Sequence, residues 1–189
     1  MKHISFKHIV YLIIISLTSV MSYAFTNQIV ARIDRKILTA YDVRLHVAIS
    51  YVLMREKIAS LDFIDNYSYS PEHLGSSINT YLVYQDAVKL RLVKKITHGV
   101  LQNYVKDFHK KFISSEMQTA FYKKLGSNEK ALKDILHELY TARNYFLEIY
   151  RIDILKTLDV DSQKKIADIY LSLRKKYIVT YPTQKMAHG

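Results

Sequence analysis

The chain has 189 residues, of which 28 are lysine or arginine and 17 are aspartate or glutamate, so its formal net charge is +11. It contains no cysteine, which excludes disulfides, thiolate metal sites, a thiol nucleophile and lipid attachment to cysteine. Only 4 glycines and 2 prolines are present, and this scarcity disfavours an all-β fold with many tight turns.

Residues 1–24 have the pattern of an export signal. A basic opening precedes a mostly apolar run from Ile9 to Met21, and Ser22-Tyr23-Ala24 places small residues at the two positions that a signal peptidase reads. An uncleaved anchor is the alternative, but the run is short for a membrane span, which needs roughly 20 residues. We expect cleavage after Ala24. The product would carry a formal charge near +9, because two of the 28 basic residues and none of the 17 acidic ones are removed.

The stretch that follows the signal predicts a strand, a turn and a capped helix. Ile29, Ala31 and Ile33 alternate with Val30, Arg32 and Asp34, which predicts a short strand with one face more apolar than the other. A polar break precedes a second apolar step at Ile37-Leu38. Thr39 can then cap free backbone amides, and Asp42 places a carboxylate in the first helical turn, where the helix dipole favours it.

Apolar spacing of three and four residues predicts helices over most of the remaining chain. The predicted helices run from Asp42 to about Lys57, Ile78 to about Leu92, Thr97 to about Ile113, Ser115 to Gly126, Ser127 to about Thr157, and from Asp161 and Ser162 to Leu173. The helix that Ser127 caps has two apolar stripes, so we expect it to be the longest and the central one. Ala59 to Ser77 lacks the pattern apart from a short helix at Ser70-Pro71-Glu72, and we expect this segment to be the most mobile.

The end of the chain predicts a second element of sheet. Tyr177 to Tyr181 alternates and contains β-branched residues, as strands do. An isolated strand leaves its backbone groups unpaired, so we expect this segment to pair with the strands near Ile29. The expected fold is therefore mainly α, with a long central helix and a small two- or three-stranded sheet that joins the two ends. It forms one domain over residues 25–182, and residues 183–189 form a flexible tail.

Three motifs carry a resemblance to a known family. They are the strand Ile29–Ile33 followed by Ile37-Leu38-Thr39 and Asp42, then Leu82 with Tyr84-Gln85-Asp86-Ala87 and Leu90, and finally Lys124-Leu125-Gly126-Ser127. Together they resemble the N-terminal domain of SurA-type periplasmic chaperones, within the trigger-factor-like peptide-binding superfamily, over most of residues 28–181. His98-Gly99 departs from the family, whose members usually place acidic residues after the equivalent of Thr97. The resemblance implies a periplasmic helical domain that holds unfolded polypeptides.

Larger relatives in that family carry parvulin-type prolyl isomerase domains after the helical region. The stretch between Ile154 and Tyr177 is too short for such a domain, and four glycines could not supply its turns. Prolyl isomerase activity is therefore not expected.

No other pattern of catalytic or metal-binding residues occurs. His98 and His109 are eleven residues apart, His137 adjoins Glu138, and no H-E-x-x-H or H-x-H spacing is present. Phosphate-loop, dinucleotide and G-x-S-x-G patterns are also missing from the sequence. We expect no enzymatic activity, no metal and no cofactor.

Aromatic and cationic residues are the remaining signal. Tyrosine occurs 16 times, and basic doublets recur, among them Lys110-Lys111 and Lys123-Lys124. One interpretation is that the tyrosines edge the core and the lysines are solvated. The other is an amphipathic cradle for unfolded clients. If the family arrangement holds, the client-binding residues would be Tyr104, Phe108, Phe112, Phe121 and Tyr122, although the same spacing equally describes core packing.

These observations favour a periplasmic, ATP-independent chaperone-like protein that holds unfolded polypeptides, outer-membrane proteins among them. Two alternatives stay open: an envelope adaptor for one folded partner, and a basic binder of anionic envelope surfaces. No nucleic-acid partner is expected, because the sequence has no dense Arg/Lys helix or recognition motif. Weak contact with an anionic membrane surface is compatible with the charge. The sequence leaves the client and the oligomeric state open.

Overall fold

The computed structural model describes residues 28–66, 70–154 and 158–182. The predicted leader, residues 1–24, and the predicted tail, residues 183–189, lie outside the described residues. Over the described ranges the chain is mainly helical with one small antiparallel sheet, so the predicted fold class is confirmed.

The elements follow one another with short connections. The strands are β1 Ile29–Ile33, β2 Lys36–Thr39 and β3 Val179–Thr180. The α-helices are α1 Ala40–Leu53, α2 Phe63–Asn66, α3 Pro71–Lys89, α4 His98–His109, α5 Ser115–Leu125, α6 Glu129–Tyr145 and α7 Val160–Lys176. A 3₁₀ turn spans Leu92–Lys95, and a π-helical turn, Phe146–Tyr150, extends α6.

The sheet joins the two ends of the domain, as the sequence predicts. Its strand order is β2-β1-β3, and both pairings of β1 are antiparallel. Ile33 lies opposite Lys36 in β2 and opposite Val179 in β3. Asp34 adopts a positive φ of 48° in the turn between β1 and β2, a conformation that aspartate tolerates better than most residues. Its backbone N–H donates to the Ile178 carbonyl at 3.0 Å, so the same turn also holds the last strand.

Each of the six longer helices begins at a polar side chain that caps it. The caps are Thr39, Ser70, Thr97, Ser114, Asn128 and Asp159, and each accepts a hydrogen bond from the backbone three residues further on. Thr39 and Asp42 form a reciprocal capping box, in which the Thr39 N–H donates to the Asp42 carboxylate at 2.8 Å. Two predicted starts were wrong by one or two residues: Asn128 rather than Ser127 caps α6, and α7 begins after Asp159 rather than at Asp161.

The lengths of two helices differ from the prediction. Ser70 and Pro71 begin one 19-residue helix, α3, rather than a short helix separate from the next. Conversely, α6 does not continue to Thr157, a residue outside the described ranges, because the chain leaves the helix after Tyr150. Arg151 has a left-handed φ of 61° there. Arg143 donates two hydrogen bonds to the Asp153 carboxylate, at 2.8 and 2.7 Å, which fixes the reversal. The longest α-helix of the described chain is therefore α3.

The core has two parts. One lies beside the sheet, where Ile33 and Leu82 pack with the end of α6 and with α7. The other lies between the second half of α1, α4, α5 and the first half of α6, and it is centred on Phe108 and Leu136, both fully buried. Helix α6 contributes to both parts, and with its π-helical turn it is continuous from Glu129 to Tyr150, so it is the long central helix of the fold, although α3 is the longest stretch of regular α-helix.

Asp86 of α3 ties the end of the chain to the sheet-side core. Its carboxylate accepts hydrogen bonds from the hydroxyls of Tyr145 and Tyr177, each at 3.1 Å, and from the Lys176 ammonium group. Burial raises the pKa of Asp86, but these three donors outweigh it and hold that pKa below its usual value. Asp86 is thus ionised at neutral pH and joins α3, α6 and the end of α7.

We expect Asp86→Ala to lower the free energy of unfolding by roughly 2–4 kcal/mol at neutral pH, because two buried hydroxyls lose their acceptor. Since the pKa of Asp86 is lowered in the folded state, its contribution is present at neutral pH and is lost as the pH falls below about 4. Urea unfolding at neutral and acidic pH measures both effects. Asp168→Asn, at an exposed position of α7, is the control. Equal stability of the two variants would contradict this role of Asp86.

His46 of α1 is a buried base with no partner for either ring nitrogen among the described residues. Burial lowers its pKa from 6.5 to about 4, so the neutral form is the one that folds. Unfolding lets His46 take up a proton below pH 6.5, and stability must therefore fall as the pH is lowered toward 4.

We expect His46→Leu to remove roughly 2 kcal/mol of the stability difference between pH 7 and pH 5. His109 and His137, whose pKa values burial also lowers, keep a smaller slope in the same direction. Urea unfolding at the two pH values tests this, with the exposed His98 changed to Leu as control. An unchanged slope in the His46 variant would show that His46 is solvated.

Candidate functional site

The structure brings the five sequence-predicted site residues together at the α4–α5 corner, but it buries three of them. Phe108 and Phe121 are fully buried and Phe112 is 5% exposed. Their ring centroids lie 5.2 to 5.7 Å apart, in tilted and edge-on contacts. These three phenylalanines are therefore core residues in this conformation, as the core-packing alternative describes, and they do not line an open groove.

The two predicted tyrosines are half-buried at the surface of the same region. Tyr104 stacks on Tyr140 of α6 with 3.6 Å between ring centroids. The Tyr122 hydroxyl lies 2.7 Å from Nε2 of His109, which links α5 to α4. Burial, followed by the charge of Glu129, raises the pKa of Tyr122, so its hydroxyl stays protonated. Both rings thus have protein partners and brace the helices.

An open cleft adjoins the part of the core that contains these phenylalanines. It has a volume of about 470 Å³ and is lined by Tyr51, Arg55, Lys57, Ile58, Ala59, Ser60, Asp62 and Phe63. Tyr51, at the end of α1, stacks on Phe63 of α2 with 4.4 Å between ring centroids. The Arg55 guanidinium lies 4.8 Å from the centroid of the Tyr51 ring, as in a cation–π contact. The cleft thus combines aromatic surface with a cationic edge.

Hydrogen bonds to backbone carbonyls hold the segment that lines the cleft against the end of α4. Ile58 forms an isolated parallel bridge with Phe112, and its N–H donates to the Lys111 carbonyl at 2.7 Å. The Lys57 ammonium group donates to the Lys110 carbonyl at 2.8 Å, and that of Lys111 donates to the Arg55 carbonyl at 2.6 Å. The segment after α1 is therefore held by three cross-links rather than left as a free loop.

Helix α5 holds the chain on the α2 side of the cleft. The Lys124 ammonium group lies 2.6 Å from the Asp65 carboxylate and 3.4 Å from the Leu61 carbonyl. Ile64, between these two residues, is buried in the part of the core that is centred on Phe108 and Leu136. Ile58 of the lining and Ile64 thus pack in the same part of the core as the three buried phenylalanines.

Two exposed large apolar side chains are sequence neighbours of residues at the cleft. Met54 precedes the lining residue Arg55 and is 72% exposed, and Ile113 follows Phe112, the bridge partner of Ile58, and is 60% exposed. Scattered exposed apolar residues are ordinary, so we group these two with the cleft because the chain joins them to it, and an aromatic-lined concavity with apolar surroundings is the usual composition of a binding surface. Below, "the α1 cleft" means the eight lining residues with Met54 and Ile113.

Sequence reasoning missed the α1 cleft. It placed Tyr51 on an apolar helix face and treated Ala59 to Ser77 as irregular, so it did not connect Phe63 with Tyr51. One usable signal was present: Ile58, Leu61 and Ile64 recur at three-residue steps within a polar segment. The bridge from Ile58 to Phe112 is a contact between distant parts of the chain, which no local pattern reveals.

Within residues 28–66, 70–154 and 158–182, no group of three or more histidine and acidic residues could hold a metal ion. Over the same ranges, none of the helices combines the length and apolar character that crossing a membrane requires.

We expect Phe121→Ala to lower the free energy of unfolding by about 3–5 kcal/mol, because the side chain is fully buried and leaves a cavity. Ile113→Ala, at an exposed position of the same corner, should change it by less than about 0.5 kcal/mol. Urea denaturation followed by far-UV circular dichroism compares the two. If both variants were as stable as the unchanged protein, Phe121 would lie on the surface and the groove prediction would be restored.

Comparison of the chain with known protein families, with curated proteins and with solved structures finds no match. The resemblance to SurA-type chaperones thus stays a prediction from three sequence motifs. The geometry of the α1 cleft is what the structure adds to it.

Proposed function

We propose that this protein is an exported, ATP-independent chaperone-like protein that holds unfolded polypeptide segments in the α1 cleft, without isomerase or other enzymatic activity. The periplasm is the compartment in which the predicted leader and the resemblance to SurA-type chaperones place it. Unfolded outer-membrane proteins belong to the clients that the resemblance implies.

The observation that carries the proposal is the open cleft that Tyr51 and Phe63 line, with the exposed Met54 and Ile113 next in sequence to residues at its edge. An unfolded chain exposes apolar and aromatic side chains that the folded form buries, so a surface of this kind discriminates between the two forms. Tyr51 and Phe63 offer flat apolar area, and methionine adapts to side chains of different shape. Both features favour tolerance of sequence over selection of one partner.

The open shape of the cleft is compatible with release of a client without nucleotide hydrolysis. The lining residues lie along one short stretch, 51 to 63, and form an open concavity rather than an enclosed cavity. A segment bound there buries little surface and dissociates readily, because small interfaces of this kind are weak. Exchange, rather than hydrolysis, would then return the client to its folding path.

We expect the purified protein to slow the aggregation of a denatured β-barrel outer-membrane protein after dilution from urea, measured by light scattering. Met54→Gln/Ile113→Gln should reduce this suppression about threefold or more, since two exposed apolar contacts are lost. Val160→Gln/Leu171→Gln is the matched control, because these two apolar residues of α7 are similarly exposed, at 79% and 58%.

Melting temperatures of both double variants should stay within a few degrees of the unchanged protein, because all four side chains are solvent-exposed. Equal loss of suppression in the two variants would mean that clients contact α7 as well, and the assignment to the α1 cleft would fail. No suppression by the unchanged protein, together with capture of a single folded protein from envelope extract, would favour the adaptor alternative.

A further inference from the structure

We infer that the α1 cleft selects extended polypeptide segments in which an acidic side chain lies close to an aromatic or large apolar one. The inference rests on the proposed function and names the class of segment that the cleft would hold. Its starting observation is the position of four basic residues, Arg55, Lys57, Lys110 and Lys111, at the junction between the cleft and the end of α4.

Three of these four charges have no ion-pair partner among the described residues. Among the described residues, Arg55, Lys57 and Lys111 have no carboxylate within 4.0 Å, and the two lysines instead donate to backbone carbonyls. Only Lys110 forms an ion pair, with Asp107 at 2.9 Å. Each of the two carbonyl-bound ammonium groups uses one of its three donors in that bond, so further donors stay available for a ligand.

Some basic residues elsewhere in the described chain are paired with acceptors on the protein. Lys124 pairs with Asp65, Lys133 pairs with Glu129, and Lys176 pairs with Asp86. Arg174 donates to the side-chain oxygen of Asn79 at 2.9 Å. Several prominent cations are thus committed to partners on the protein, whereas the cations of the α1 cleft are held in place without being compensated.

Fixed, uncompensated cations favour an anionic partner. The hydrogen bonds of Lys57 and Lys111 reduce the side-chain freedom that a flexible lysine would lose on binding a carboxylate. The Arg55 guanidinium rests on the Tyr51 ring, and its planar donors match a carboxylate. Asp62 is the single acidic residue of the lining, so the edge stays net positive.

The aromatic surface lies beside these cations and sets the second requirement. Tyr51 and Phe63 stack within the same lining as Arg55 and Lys57. A lipid headgroup or an inorganic anion would use the cations and make no use of the aromatic part of the lining. A polypeptide segment with both kinds of side chain uses the rings and the cations together, and this is why we choose it as the occupant.

The test uses short fluorescein-labelled peptides that share the same aromatic residues and carry Asp, Asn or Lys at the intervening positions. Fluorescence anisotropy with the purified protein should show the Asp peptide binding about three- to tenfold more tightly than the Asn peptide, and the Lys peptide more weakly still. The preference should shrink as the ionic strength rises, because the cations are solvent-exposed.

Arg55→Gln/Lys57→Gln should abolish the preference for the Asp peptide while leaving binding of the Asn peptide largely unchanged. Lys164→Gln/Lys175→Gln removes the same net charge from exposed positions of α7 and should keep the preference. Glutamine at position 57 can still donate to the Lys110 carbonyl, so the fold is preserved, and melting temperatures verify this.

Equal affinity for all three peptides, with aggregation suppression intact, would overturn this inference and leave the proposed function standing. If the unchanged protein neither bound the peptides nor suppressed aggregation, the inference and the proposed function would both be overturned. Vesicles containing phosphatidylglycerol provide the third arm. The inference would be overturned if the protein bound these vesicles, if Arg55→Gln/Lys57→Gln abolished that binding, and if no preference for the Asp peptide were seen. The cations would then belong to a membrane-binding surface.

Discussion

The buried carboxylate of Asp86 is the constraint on which the arrangement of the domain depends. An ionised carboxylate in a largely apolar interior is costly unless several donors surround it, and here the donors come from Tyr145 in α6 and from Lys176 and Tyr177 at the end of α7. Both tyrosine hydroxyls and the Lys176 ammonium group donate to this one carboxylate, and together they hold the end of α7 in one position. That position places the next residues, Val179 and Thr180, beside β1.

The position of the sheet in turn determines where α1 lies, and α1 carries the cleft. Thr39 ends β2 and caps α1, so no flexible link separates the sheet from the helix. The buried His46 lies midway along α1, and the helix ends beside Arg55, at the cationic edge. Helix α1 therefore connects the two parts of the core. The part beside the sheet orients the start of α1, and the part centred on Phe108 and Leu136 packs against its second half, next to the cleft.

Local signals in the sequence were sufficient for the elements and for closure of the sheet. Thr39 with Asp42, Ser70 with Pro71, and Gly126 specify helix ends through hydrogen bonds within a few residues, which a sequence displays directly. The predicted extension of α6 failed because the ion pair of Arg143 with Asp153 and the left-handed Arg151 end the helix despite continued apolar spacing. The site could not be predicted for a related reason, since periodicity marks apolar faces but does not say which of two neighbouring faces is covered.

This limit of periodicity explains why the sequence predicted the phenylalanines as binding residues and did not reveal the cleft. Phe108, Phe112 and Phe121 form the strongest aromatic cluster in the sequence, and large aromatic side chains that cluster are buried unless something keeps them apart. At the α1 cleft, Lys57 and Lys111 hold the segment after α1 against the end of α4 through bonds to backbone carbonyls, so the lining is fixed beside the buried cluster. An aromatic surface can stay exposed on a monomer only if its surroundings resist collapse and self-association, and a rim of like charges supplies both. The cations of the cleft thus serve the fold as well as the proposed binding, because Lys57 and Lys111 hold two segments together while their ammonium groups keep donors for a ligand.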